Sequence, residues 1–245
     1  MQVIVNSIDF IQIGLTVLAL MVAIIGHEIM HGYVAYKYGD ITAKSMGRLS
    51  INPISHIDPI GTIVVPALLY FTNAGFIFGW AKPVPVNMQV VIQNGGYKAA
   101  MAVSLAGVFY NFTLALIASV AFLSYFPTEQ LTQILTTNPT ASTLGVVHYI
   151  ITELSSTEPL LYFIGISLIM NLLLAVFNLL PIPAFDGAQF VTYLSFQLGL
   201  NKIGEIYIRL APYGMFIVLA IFLVGPLQKI LIFEPLNWLM SQLLL

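Results

Sequence analysis

The chain has 245 residues, 59% of them hydrophobic and only 7% charged, with a formal net charge of −2 and a mean hydropathy of +0.94. A soluble domain is about a quarter charged, so the composition excludes an ordinary soluble fold and predicts an all-α polytopic membrane protein. No Lys/Arg cluster suited to nucleic acid is present. Without cysteine, neither a disulfide nor a thiolate metal site can form.

A bilayer span needs about 20 mainly apolar residues. The apolar runs here are long and continuous, unlike the alternation of a membrane β-barrel. The opening MQVIVNSIDF has no basic region or small-residue cleavage site, so no cleaved signal peptide is expected. The first predicted span is Ile8 to Tyr36, followed by the turn-rich loop KYGDITAKSMGRLSINPISHIDP. Ile60 to Trp80 is apolar but interrupted by Pro66, Asn73 and glycines. AKPVPVNMQVVIQNGGYK, with its Pro-Val-Pro, predicts an extended, β-like stretch.

Tyr97 to Phe126 is the second span. Pro127 to Glu158 is polar and is expected outside the apolar core. Leu160 to Leu180 is the third span, Ala188 to Leu198 a shorter helix, and Ile206 to Val224 the last span. The tail after Pro226, with Trp238, suits the interface. The reading is one membrane domain over 1–245, with a core at about 8–200 and the last span and interfacial tail in 201–245. It has about four to six spans in all.

Lys37, Lys44, Arg48, Lys82 and Lys98 fall between the first two spans, and Lys202 and Arg209 between the third and last. The loop from Pro127 to Glu158 carries Glu but neither Lys nor Arg. The positive-inside rule makes the lysine-bearing loops cytoplasmic. Parity then requires Ile60–Trp80 to be re-entrant. If that segment crosses fully, the Ala188 helix must cross too.

The first span contains His27, Glu28 and His31 in HEIMH. Intramembrane charged groups are costly and functional by default. On a helix, residues i and i+4 share a face, so the two imidazoles can meet one zinc ion. In H-E-x-x-H hydrolases the glutamate is the general base for water at the metal. The alternative, a satisfied histidine pair on a surface helix, suits a soluble protein better than a span. A catalytic zinc site takes three protein ligands. The candidate third is Asp186 in NLLPIPAFDG, where Pro181 and Pro183 cannot continue the helix and Gly187 permits a close turn. A solvated Asp in an interfacial turn is the competing reading. His56 and Asp58 are readable as a gate or ligand pair, but better as a turn held by Asn52, Asp58 and the prolines.

HEIMH at 27–31 within a span and NLLPIPAFDG at 178–187, which fits N-x-x-P-x-P-x-x-D-G, together resemble the site-2 protease family of intramembrane zinc metalloproteases. SLAGVFYN at 104–111 is similar to the family's G-x-x-x-N segment, with Val108 where proline is common. NPISHIDPIGT and FGWAKPVPVN look like its compact prokaryotic branch, which lacks PDZ and CBS domains. The resemblance covers roughly 15–190. It implies a three-helix core around one Zn²⁺ per chain, held by His27, His31 and Asp186, with Glu28 as base. It implies hydrolysis of peptide bonds in or near the transmembrane helix of another protein, inside a prokaryotic cell membrane and toward its cytoplasmic side. It also suggests Asn111 for substrate or oxyanion binding, Asn178 for substrate or for orienting Asp186, and the extended stretch for pairing with an unwound substrate.

The expected partners are a transmembrane protein or peptide substrate and the bilayer, with no nucleic acid. The competing function is a non-proteolytic zinc-binding membrane protein or transporter. A transport pathway, however, calls for ligands strung across the bilayer.

Overall fold

A computed structural model describes residues 10–72, 79–153 and 157–245. The first helix, α1 (Phe10–Lys37), has 28 residues, or about 42 Å of rise, ample for a hydrocarbon core of about 30 Å. The second, α2 (Met88–Tyr125), is interrupted at Gly96, whose φ of 66° suits only glycine. Its spanning part therefore begins at Tyr97, as the sequence predicts. The third, α3 (Pro159–Leu179), starts on a proline that needs no helical N–H partner. The fourth, α4 (Asp186–Gln197), has 12 residues, about 18 Å, too short to cross. It lies against α2 instead.

Among the described residues, α1, α2, α3 and the stretch Asn201–Ile221 are long and apolar enough to cross a membrane. The chain is an integral multi-pass membrane protein of all-α class, and the four candidate spans among its described residues fall within the expected four to six.

α1, α2 and α3 pack pairwise into a three-helix core. Away from the lysine-rich end, Ala19, Ala115, Ala118, Phe122, Leu168 and Leu172 are buried together. The alanines let the helices approach closely, the usual basis of packing in lipid. The polar stretch 127–158 departs from expectation. Its helices Thr128–Thr137 and Thr143–Glu153 are amphipathic, and Leu131, Val147 and Ile151 join the core. The C-terminal helix Glu234–Leu244 adds Leu236, Met240 and Leu244 and leaves Trp238 exposed. At the lysine-rich end a smaller cluster joins Ala35, Val91, Ala99 and Val103.

Two loops cover that end of α1. The Lys82 N–H donates to the His56 carbonyl (2.9 Å), and the Trp80 N–H to the Gly61 carbonyl (3.1 Å). Residues 56–61 and 80–82 thus lie side by side; residues 73–78 of the segment expected to be re-entrant lie outside the described residues. The stretch expected to be β-like, 81–98, forms no strand: residues 81–87 have no regular secondary structure, and from Met88 the chain is helical. Pro83 and Pro85 have no N–H to give a ladder. Beyond the Lys82 N–H, backbone groups of 81–87 bond the side chains of Arg48, Glu28 and Asp40.

Candidate metal centre

His27 and His31 point from one face of α1 toward α2 and the start of α4, between the two apolar clusters. Both rings are fixed by α2. The His27 Nδ1–H donates to Asn111 Oδ1 (2.6 Å), and the His31 Nδ1–H donates to the Val103 carbonyl (2.7 Å). The donor assignments follow from chemistry. A carbonyl only accepts. Asn111 has its amide nitrogen committed to the Ala23 carbonyl (3.1 Å) and Asn171 Oδ1 (2.9 Å), so its oxygen faces His27. Two neutral imidazoles with the proton on Nδ1 each present a bare Nε2.

Gly107, one turn before Asn111, completes the seat. A Cβ at Gly107 would lie 2.5 Å from three atoms of the His27 ring. The G-x-x-x-N spacing therefore serves one imidazole twice: glycine leaves room for the ring, and asparagine accepts from its Nδ1–H.

The carboxylate arrives from the unwound end of α3. Leu180 is extended, and Pro181 and Pro183 stop the helix. A tight turn follows, in which the Phe185 N–H donates to the Ile182 carbonyl (2.8 Å). Asp186 opens α4, where the helix N-terminus favours a negative charge. Gly187 is required by close approach, since a Cβ there would lie 2.2 Å from the Leu179 carbonyl oxygen. Gly214 abuts the same turn, where a Cβ would sit 2.7 Å from the Pro183–Ala184 backbone.

Three acceptor atoms thus converge. His27 Nε2 lies 3.1 Å from His31 Nε2 and 3.1 Å from Asp186 Oδ2, and His31 Nε2 lies 3.2 Å from Asp186 Oδ2. Asp186 Oδ2 is buried and has no hydrogen-bond partner. Lone pairs facing one another without a proton repel, and a shared cation reverses the sign. Zinc at about 2.0–2.1 Å from tetrahedral N and O ligands spaces those atoms roughly 3.3–3.4 Å apart, close to the triangle seen. Two imidazoles and a carboxylate also form a donor set that zinc favours and that leaves a fourth position for water or substrate. Among the described residues, this is the one group of three His, Asp or Glu side chains close enough to share an ion.

Glu28 is only partly buried and lies outside the triangle. Its Oε2 accepts the Val84 N–H at 2.8 Å, and among the described residues its other oxygen makes no hydrogen bond. Asn111 is fully buried, with every group engaged inside the protein. Asn178 donates to the Leu174 carbonyl one turn back (3.0 Å), and no hydrogen bond links it to Asp186. His56 is buried and bonds the Ser50 carbonyl (2.7 Å), while Asp58 accepts the N–H groups of Ile60 and Gly61 (2.9 and 2.7 Å). Both serve the turn, as the preferred sequence reading has it.

The sequence reading missed Asn171, buried on α3 and hydrogen-bonded to Asn111. Its signal was an amide in an apolar span, two turns before Asn178. Arg48 and Val84 were missed as well. No local spacing marks them, because they meet Glu28's surroundings only through tertiary contact.

The family model described as peptidase family M50 matches residues 15–225. The chain is 34% identical over 223 residues to "Putative zinc metalloprotease YwhC" of Bacillus subtilis (strain 168), covering 90% of this chain and 85% of that protein. No solved structure matches it. With this match over most of its length, and the two histidines and the aspartate meeting in the core of its membrane helices, the chain belongs to peptidase family M50, the site-2 protease family of membrane metalloproteases.

Proposed function

We propose that this protein is a zinc-dependent endopeptidase that hydrolyses peptide bonds in or beside the transmembrane helix of other membrane proteins. The observation that carries the reading is the convergence of His27 Nε2, His31 Nε2 and Asp186 Oδ2 within 3.1–3.2 Å of one another, with Glu28 next in sequence to the first of them. The relative named as a zinc metalloprotease supports it. His27, His31 and Asp186 would hold the zinc. When bound, the metal lowers the pKa of water to about 7 and polarises a carbonyl oxygen.

Glu28 supplies the proton chemistry. Its Oε2 is occupied by the Val84 N–H, so the free oxygen takes a proton from the attacking water. The same oxygen then delivers that proton to the nitrogen of the leaving amine. One water is consumed, the C–N bond breaks, and an acid and an amine result. Asn111 and Asn171 keep His27 in its Nδ1–H form throughout. A substrate helix must unwind first, since a helical amide is shielded by its own hydrogen bonds, so helix-breaking residues are expected at the cut. The basic loops put the Lys37 end of α1 on the cytoplasmic side, and His27 lies about 15 Å along the helix from Lys37.

The test is Glu28→Gln in purified protein. Zinc should stay bound while cleavage of a transmembrane peptide falls by about 10²–10⁴-fold, the usual worth of a general base. Full activity in that variant would overturn the assignment.

A further inference from the structure

Arg48 is a buried cation in the loop covering the lysine-rich end of α1, with no carboxylate at ion-pair distance among the described residues. Its Nε is buried and unpartnered. A buried charge without a counter-charge is costly, so its position calls for a reason. Arg48 Nη2 donates to the Lys82 carbonyl (2.8 Å) and the Pro83 carbonyl (3.2 Å). The next N–H along the chain is that of Val84, which donates to Glu28 Oε2 at 2.8 Å.

The Pro83 carbonyl and the Val84 N–H belong to the same peptide unit. One peptide plane therefore stands between a guanidinium and the Glu28 carboxylate, its oxygen toward the cation and its hydrogen toward the anion. Each bond polarises the other. Both ends of the segment are fixed independently. The Lys82 N–H is held by the His56 carbonyl (2.9 Å) and the Asn87 N–H by Asp40 (2.6 Å). Pro83 and Pro85 restrict the backbone between those anchors and offer no competing N–H. The Val84 side chain packs against α1, where a Cβ at Gly32 would lie 2.7 Å from it.

We propose that Arg48 is a positioning residue for Glu28, acting through the Pro83–Val84 peptide. It holds the Val84 N–H on one carboxylate oxygen so that the other stays aimed at the water. This rests on Glu28 being the general base. Nothing in the relay touches His27, His31 or Asp186, so zinc binding is independent of it.

The full-length, zinc-loaded protein in detergent provides two readouts. The first is the amide resonance of Val84 in protein labelled with ¹⁵N-valine. It should shift on Glu28→Gln and again on Arg48→Gln, with faster hydrogen exchange in the second. The second is cleavage of a quenched-fluorescent transmembrane peptide with a helix-breaking centre. Arg48→Gln should lower kcat by about 10- to 100-fold, the effect of a misplaced catalytic group, with KM and zinc content unchanged. Arg48→Lys, which keeps a charge and a donor, should recover part of kcat. A Val84 amide indifferent to both substitutions overturns the relay, as does an unchanged kcat or a loss confined to KM. A wild type that binds zinc and shows the Val84 shifts, yet cleaves no transmembrane peptide, defeats the proteolytic reading and leaves the relay standing as geometry without a catalytic role.

Discussion

Gly107→Ala offers the sharpest mechanical test of the candidate metal centre. The added methyl would sit 2.5 Å from Cε1, Nδ1 and Nε2 of His27, whereas non-bonded carbon contacts begin at about 3.5 Å. The ring must retreat by about 1 Å. It cannot simply swing aside, because its Nδ1–H is held by Asn111 at 2.6 Å. A zinc site tolerates about 0.2 Å in ligand distance, so the required movement is roughly five times that tolerance. Loss of a supporting group alone lowers metal affinity by about 10–100-fold, and displacing a ligand should cost at least that. Zinc content after dialysis and a chelator competition give the number. Gly14→Ala is the control, since its Cβ meets nothing within 4 Å. Unchanged zinc affinity in Gly107→Ala would refute the seating of His27 against α2.

Asn171→Leu removes the acceptor that holds the Asn111 amide, and its zinc affinity should fall toward the 10-fold end of the same range, measured by the same competition. Gly187→Ala puts a methyl into the Leu179 carbonyl, so both zinc content and thermal stability should drop; retention of both would show that the turn can relax. Asp40, beyond the membrane end of α1, is buried, which alone would raise its pKa. Hydrogen bonds from the Thr42 hydroxyl and N–H and the Asn87 N–H outweigh that and hold it below the ordinary carboxylate value. Its ionised form therefore contributes stability above pH about 4, and that contribution is lost as pH falls through the lowered value. In denaturation followed against pH, Asp40→Asn should be less stable than wild type at pH 7, with the gap closing in acid. A gap that widens in acid would reverse the sign.

What the sequence disclosed was set by range. His27, Glu28 and His31 share one helix, so spacing alone put both imidazoles on one face. Asp186 could be proposed because two prolines and a glycine mark a turn just after an apolar span. The spans themselves announce their length, and the Tyr97 start is fixed by a local break at Gly96. The supports of the site were a different matter. The bonds of Asn111 to His27 and Asn171 were not legible, because a sequence does not show which way α2 turns it. The extended stretch read as β-like from Pro-Val-Pro, yet its partners are side chains more than 30 residues away. The polar stretch 127–158 concealed two short amphipathic helices whose few apolar residues face inward.

Zinc binding as proposed requires two distant segments to form one metal site. The most direct measurement is the zinc content per chain of detergent-purified wild type and Asp186→Ala, with cleavage of a transmembrane peptide followed in parallel. The account predicts one zinc in the wild type, and loss of both metal and cleavage in the variant. Zinc retained in full by Asp186→Ala would contradict it.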